Sequence, residues 1–186
     1  MGFPCNSSSF SLLSLLVVLL LVGLSSQSPS VKETVGYDFI CRKTANLDLC
    51  LEIFESDPRS AVADVKGLAQ IADDACEASA NQTLKTLGLL INSTMSSPIL
   101  KERFETCVRY YDIVIANLDM AKRLLASPKY TSALDYSQVA KNYIDDCDAL
   151  FQSSPISAKP AELEKVTKKS LDLVLIFRVI LDVFLR

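Results

Sequence analysis

The chain has 186 residues, 22% of them charged, and a formal net charge of −3. That length is enough for one domain with a sizeable core, and the charge leaves no basic footprint for a nucleic-acid partner. There is no His and no Trp, which excludes Ser-His and Cys-His nucleophiles, a His-ligated zinc and the commonest general base.

The first 28 residues carry no charged side chain, and Leu12 to Leu24 is a nearly unbroken apolar run followed by "SSQSPS". The run is short against the ~20 residues of a bilayer span. It reads as the h-region of a secretory signal peptide over residues 1–27, cleaved near Ser25 to Ser28, although the n-region lacks Lys and Arg. The competing reading is an uncleaved signal anchor. Secretion decides how the cysteines are read. Cys5 leaves with the signal, and Cys41, Cys50, Cys76, Cys107 and Cys147 remain. An odd count in an oxidising compartment predicts two disulfides and one spare thiol. On the same route Asn81-Gln82-Thr83 and Asn92-Ser93-Thr94 become N-glycosylation candidates.

Residues 28–186 read as helices throughout, with prolines in the breaks and no alternating run bounded by hairpin turns. Two short helices come first, Val31 to Arg42 and Leu47 to Glu55, with Asn46 placed to cap the second; together they form a hairpin over 31–57. Four longer helices follow, Ala61 to Ile91, Ile99 to Ala126, Tyr130 to Gln152 and Ala161 to Leu185. The second long helix carries Leu100, Phe104, Cys107, Tyr111, Val114, Leu118 and Leu125 on one stripe. The third carries Ala133, Tyr136, Ala140, Tyr143, Cys147 and Leu150, and the last Val166, Leu173, Phe177, Ile180 and Phe184. These are amphipathic faces. Asp172, Arg178 and Asp182 break the apolar stretch of the last helix, which makes it a core helix and no membrane span. Long helices joined by short loops predict an all-α, up-down antiparallel four-helix bundle over 61–186.

The cysteines fit this arrangement. Cys107 lies 19 residues before Ala126, and Cys147 lies 17 residues after Tyr130. At ~1.5 Å per residue both sit at nearly the same depth from the shared tip, on the inward stripe. An antiparallel pair brings them within the short reach of a disulfide. Cys41 and Cys50 sit at facing ends of the short helices and staple the hairpin. Cys76, four residues after Ala72, is expected as a buried free thiol acting as a small hydrophobe.

At "ICRKTANLDLCLEIFESDPRSAVADVKGLAQIA" (40–72), "FETCVRYYDIVIANLDMAKRLL" (104–125) and Cys147 in "IDDCDALF", the chain resembles the plant invertase and pectin methylesterase inhibitors. The resemblance covers essentially all of residues 28–186, which makes that stretch the inhibitor domain. It implies a four-helix bundle with an N-terminal hairpin and the same two disulfides. It also implies a secreted protein without catalytic activity or cofactor, which docks one-to-one on a carbohydrate-active enzyme and occludes its cleft. The partner would be pectin methylesterase in the cell wall or, as the alternative, an acid invertase (beta-fructofuranosidase) in the cell wall or vacuole. In the invertase-inhibiting branch a Pro-Lys-Phe loop enters the enzyme; here Pro128-Lys129-Tyr130 resembles it, with Tyr for Phe. "SDPRSAVADVKGLAQ", "RFETC" and "LDMAKRLLAS" look more like fruit-type pectin methylesterase inhibitors. Many family members carry their spare cysteine in the last helix, where this chain has "SLDLVLIF" and the spare is Cys76 instead.

Other constellations are weaker. Asp145, Asp146 and Asp148 lie too close together on one helix to converge on an ion; they read as a solvated face at the rim of an interface and as partner-binding candidates. Asp73, Asp74 and Glu77 read the same way, so no metal is expected. Paired carboxylates alone would permit glycosidase chemistry, but a small bundle offers no obvious cleft. A lipid carrier would need an apolar tunnel, for which a full core of Leu, Val, Phe and Tyr leaves little room.

Overall fold

A computed structural model describes residues 36–94, 97–152 and 159–185. The expected signal peptide 1–27 and the expected helix start at Val31 lie outside the described residues. Within them the helices are α1 Tyr37–Cys41, α2 Leu47–Ser56, α3 Val65–Ser93, α4 Pro98–Ala126, α5 Tyr130–Ala149 and α6 Ala161–Val179. A 3₁₀ turn, Pro58–Ala61, precedes α3, and a π-helical turn, Ile180–Leu185, extends α6. No strand occurs among the described residues. Each long helix packs on the next in the chain, and α6 closes the ring against α3. This is the expected up-down bundle, with the α1–α2 hairpin resting on α3 and α6.

Local chemistry sets the helix ends. Asn46 Oδ1 accepts from the Leu49 N–H at 3.2 Å and starts α2. Its amide Nδ2 also donates to Asp172 Oδ2 at 3.0 Å, so one side chain both caps the hairpin helix and ties it to α6. Losing a cap costs about 1 kcal/mol and losing a part-buried bond to a charged group costs more. Asn46→Ala is expected to lower stability by about 1–2 kcal/mol, read as a shift of the urea midpoint at unchanged slope.

The sequence placed the start of the first long helix at Ala61, and the structure moves it to Val65. Asp57 accepts from the Arg59 N–H at 2.9 Å and closes the 3₁₀ turn. Asp64 then accepts from the Gly67 N–H at 2.9 Å and opens a new helix. Two capping carboxylates override the helix propensity of the alanines between them. At the other end of the bundle, α5 stops at Ala149 rather than Gln152. Its chain tightens into turns in which the Phe151 and Gln152 N–H groups donate to Asp148 and Ala149 carbonyls. Gly36, extended at φ −61° and ψ 141°, is the N-cap of α1, so α1 itself starts at Tyr37.

The core is continuous. Phe104, Tyr111, Leu118 and Leu125 of α4 are buried with Leu68 and Leu87 of α3, Ile144 of α5, and Leu163, Leu173 and Phe177 of α6. The interior where a lipid would have to lie is filled by these side chains. Ser79, Thr83 and Ser170 form a buried polar link between α3 and α6, with oxygens 2.9 and 3.2 Å apart. Among the described residues no helix is long and apolar enough to cross a membrane.

Candidate functional site

The disulfides fix the geometry. Cys41–Cys50 joins α1 to α2 with Cα atoms 5.4 Å apart. Cys107–Cys147 joins α4 to α5 with Cα atoms 4.9 Å apart, which holds these two positions level on the neighbouring helices. Cys76 is unpaired and buried, and that burial raises its thiol well above the ordinary range, with Asp73 and Glu77 adding to the effect. A buried thiol of this kind is no nucleophile.

One helical turn from the inter-helix disulfide, the rings of Tyr110 and Tyr143 meet at 5.6 Å between centroids. The same register continues toward the tip in steps of three and four, through Ile113 and Asn117 on α4 and Val139 and Tyr136 on α5. Tyr136 and Val139 are 38% and 37% exposed. These six side chains form an uncharged, partly aromatic flank along the α4–α5 seam. The sequence had assigned Tyr136 to the inward stripe. The structure turns it out, because α4 already supplies the core with Tyr111, Val114 and Leu118, all fully buried.

The tip joining α4 to α5 is tight. The Ser127 and Lys129 N–H groups donate to the Leu124 carbonyl at 3.1 and 3.0 Å, and the α3 ammonium of Lys66 caps the Ala126 carbonyl at 3.2 Å. Pro128 and Lys129 are exposed, but Tyr130 is half-buried and packs on the core. The three residues thus do not present one common surface.

Nor do the acidic candidates. Asp145 pairs back along α5 with Lys141 at 2.6 Å, Asp148 binds Lys159 at the entry to α6, and Asp146 is exposed. Asn81 is exposed in mid-helix, its Nδ2 donating to the Glu77 carbonyl at 2.9 Å. Its sequon partner Thr83 is fully buried. Asn92 is exposed in the last turn of α3.

The structure corrects the reading of Asp73, Asp74 and Glu77 as a solvated face. Their carboxylate oxygens lie within 4.8 Å of one another, but Asp73 is fully buried. The cation among them is an ammonium: Lys122 of α4 reaches Asp74 at 2.7 Å and Glu77 at 3.0 Å. Arg59 joins Asp74 at 2.8 Å and Asp57 at 2.6 Å. Burial raises the Asp74 carboxyl, but the bonds from Lys122 and Arg59 bring it below its ordinary value. The bonds to Asp74 and Glu77 raise Lys122, against its partial burial. Helix α4 is thus held to α3 by ion pairs on one side and to α5 by the disulfide on the other.

Comparison with known proteins gives this architecture a family. A sequence model described as plant invertase/pectin methylesterase inhibitor matches residues 38–173. The chain is 42% identical over 170 residues to a pectinesterase inhibitor of Actinidia deliciosa, covering 91% of this chain and 89% of the relative. It is 27% identical over 155 residues to the cell wall/vacuolar inhibitor of fructosidase 2 of Arabidopsis thaliana, covering 81% and 86%. A crystal structure of a mutant pectin methylesterase inhibitor from Arabidopsis superposes with a TM-score of 0.68 at 27% identity, covering 78% of this chain and 95% of that one. The matched span, the identities and the superposed helical bundle agree: the chain belongs to the plant invertase/pectin methylesterase inhibitor family, whose members are inhibitors and not catalysts.

Proposed function

We propose that the protein inhibits pectin methylesterase by laying the α4–α5 flank across the mouth of the enzyme's cleft, one inhibitor to one enzyme. The observation that carries this reading is the uncharged stripe on the α4–α5 seam, where Tyr136 and Val139 are exposed beside the half-buried ring pair of Tyr110 and Tyr143. Interface centres are enriched in such residues and depleted of charge. The tip offers a single aromatic, Tyr130, half-buried like Tyr110 and Tyr143, between exposed Lys129 and the first turn of α5. The 42% identity to a pectinesterase inhibitor, against 27% to an inhibitor of fructosidase, supports the same target. Residues 1–27 would direct the chain to the cell wall as a cleaved signal, with Asn92 and Asn81 open to glycosylation on the way. Exposed Lys129 in Pro128-Lys129-Tyr130 favours the second reading, an acid invertase as target, since a cation there could meet the carboxylates of a glycosidase.

The experiment is a titration of the secreted protein against both enzymes. Pectin methylesterase activity is expected to fall linearly to near zero at equimolar inhibitor, with invertase unaffected. Inhibition of invertase alone would overturn the assignment, and substoichiometric loss of activity with covalent change in the target would overturn occlusion.

A further inference from the structure

Asp73 is unlike every other carboxylate named above. It is fully buried on α3, and neither carboxylate oxygen has a hydrogen-bond partner. Helical geometry puts it on the α4-facing flank, one turn before Glu77. On its own helix the charged groups that act on it are Glu77 and Asp74; from α4 they are Lys122 and Asp119. Arg59 of the 3₁₀ turn reaches the cluster through Asp74, and Asp57 stands behind Arg59. The buried thiol of Cys76 is also nearby and neutral.

An ionised Asp73 would be in difficulty here. Lys122 is already shared by Asp74 and Glu77, so a third carboxylate, itself fully buried, would add repulsion without a cation of its own. Burying an unpaired charge is far costlier than burying a neutral acid. We propose that Asp73 is an acid lock: protonated, it sits neutral in the α3–α4 contact, and the need to keep that proton weakens the whole fold progressively as the medium goes from acid to neutral, until the carboxyl ionises in place. This inference concerns the chain alone and does not rest on which enzyme it inhibits.

The direction agrees with the electrostatics. Burial, followed by repulsion from Glu77, pushes the carboxyl from 3.8 up to about 8, against the attraction of Lys122. A group whose folded-state pKa is raised contributes stability that is fully present below its unfolded value. That stability is lost as pH rises through the interval up to the folded value. The loss therefore runs from about pH 4 to about pH 8. Asp74 and Asp57 work in the opposite sense: their folded-state values are lowered, so their contribution is lost only in acid below the ordinary carboxylate range. With no His in the chain, no imidazole competes for the interval between.

The test is urea unfolding from pH 4.5 to 9, comparing the natural protein with Asp73→Asn. One linked proton makes the unfolding constant rise about tenfold per pH unit. The natural protein is expected to show that slope between pH 5 and 8 and to level off above, whereas Asp73→Asn loses about one unit of slope over the same range. Equal slopes in the two proteins would overturn the proposal. If the amide variant does not fold, the carboxyl carbon of Asp73 can be titrated by NMR in the natural protein. A midpoint near 8 supports the lock, and a midpoint near 4 refutes it.

Discussion

Replacing Cys107 and Cys147 together by alanine is expected to lower stability by about 4 kcal/mol. The bridge spans 40 residues of sequence, and closing a loop of that length removes about 4 kcal/mol of chain entropy from the unfolded state. The same relation gives about 2.5 kcal/mol for Cys41–Cys50, which spans 9. The inter-helix bridge should therefore dominate, and its loss should lower the melting temperature by roughly 10–15 °C in a domain of this size. Losing the hairpin bridge should act more locally, on α1 and α2, with the bundle helices melting later. On the proposed docking flank the effect would extend to inhibition, because the long bridge holds α4 and α5 level and that register aligns Tyr110 with Tyr143. Thermal melts of the two double variants decide the order. A Cys107→Ala/Cys147→Ala protein that melts with the natural one would show that packing alone sets the register.

The bundle was legible because its signals are local and redundant. The α4 stripe from Phe104 to Leu125 needs only the 3.6-residue period, and every member expected there is buried, with Ala121 added by the structure. The Cys107 and Cys147 depths need only the rise per residue and one turn. What the sequence hid depends on neighbours. Asp73 beside Asp74 and Glu77 has the composition of a solvent face; only the approach of α4, with Lys122 and Asp119, shows that one of the three faces inward. Tyr136 fits the inward period of α5, but how wide a stripe is buried depends on what α4 already fills. The start of α3 was missed because two caps, Asp57 and Asp64, compete within a few residues, and propensity cannot rank them. Pro128-Lys129-Tyr130 was readable as a turn, yet not as a turn whose aromatic is packed down while its lysine stays in solvent.

That split at the tip sharpens the choice of target. Tyr130→Ala would confuse a binding test, since the ring packs on the core and its loss would also cost stability. Lys129→Ala avoids this: its side chain makes no cap hydrogen bond to α5 and is exposed. If the flank is the docking surface, Lys129→Ala should change inhibition of pectin methylesterase by no more than about twofold, the range of an ordinary surface change of ~0.5 kcal/mol. Tyr136→Ala with Val139→Ala should behave oppositely. Both side chains are more than a third exposed, so folding should tolerate them. Truncating aromatic and apolar anchors at the centre of an interface costs ~2 kcal/mol or more, about thirtyfold in affinity. Inhibition constants measured on proteins with matched melting temperatures separate the cases. Thirtyfold loss at the flank with no loss at the tip is the expected pattern. The reverse pattern, Lys129→Ala abolishing inhibition while the flank variant keeps it, would move the contact to the end of the bundle and with it the balance toward an invertase cleft.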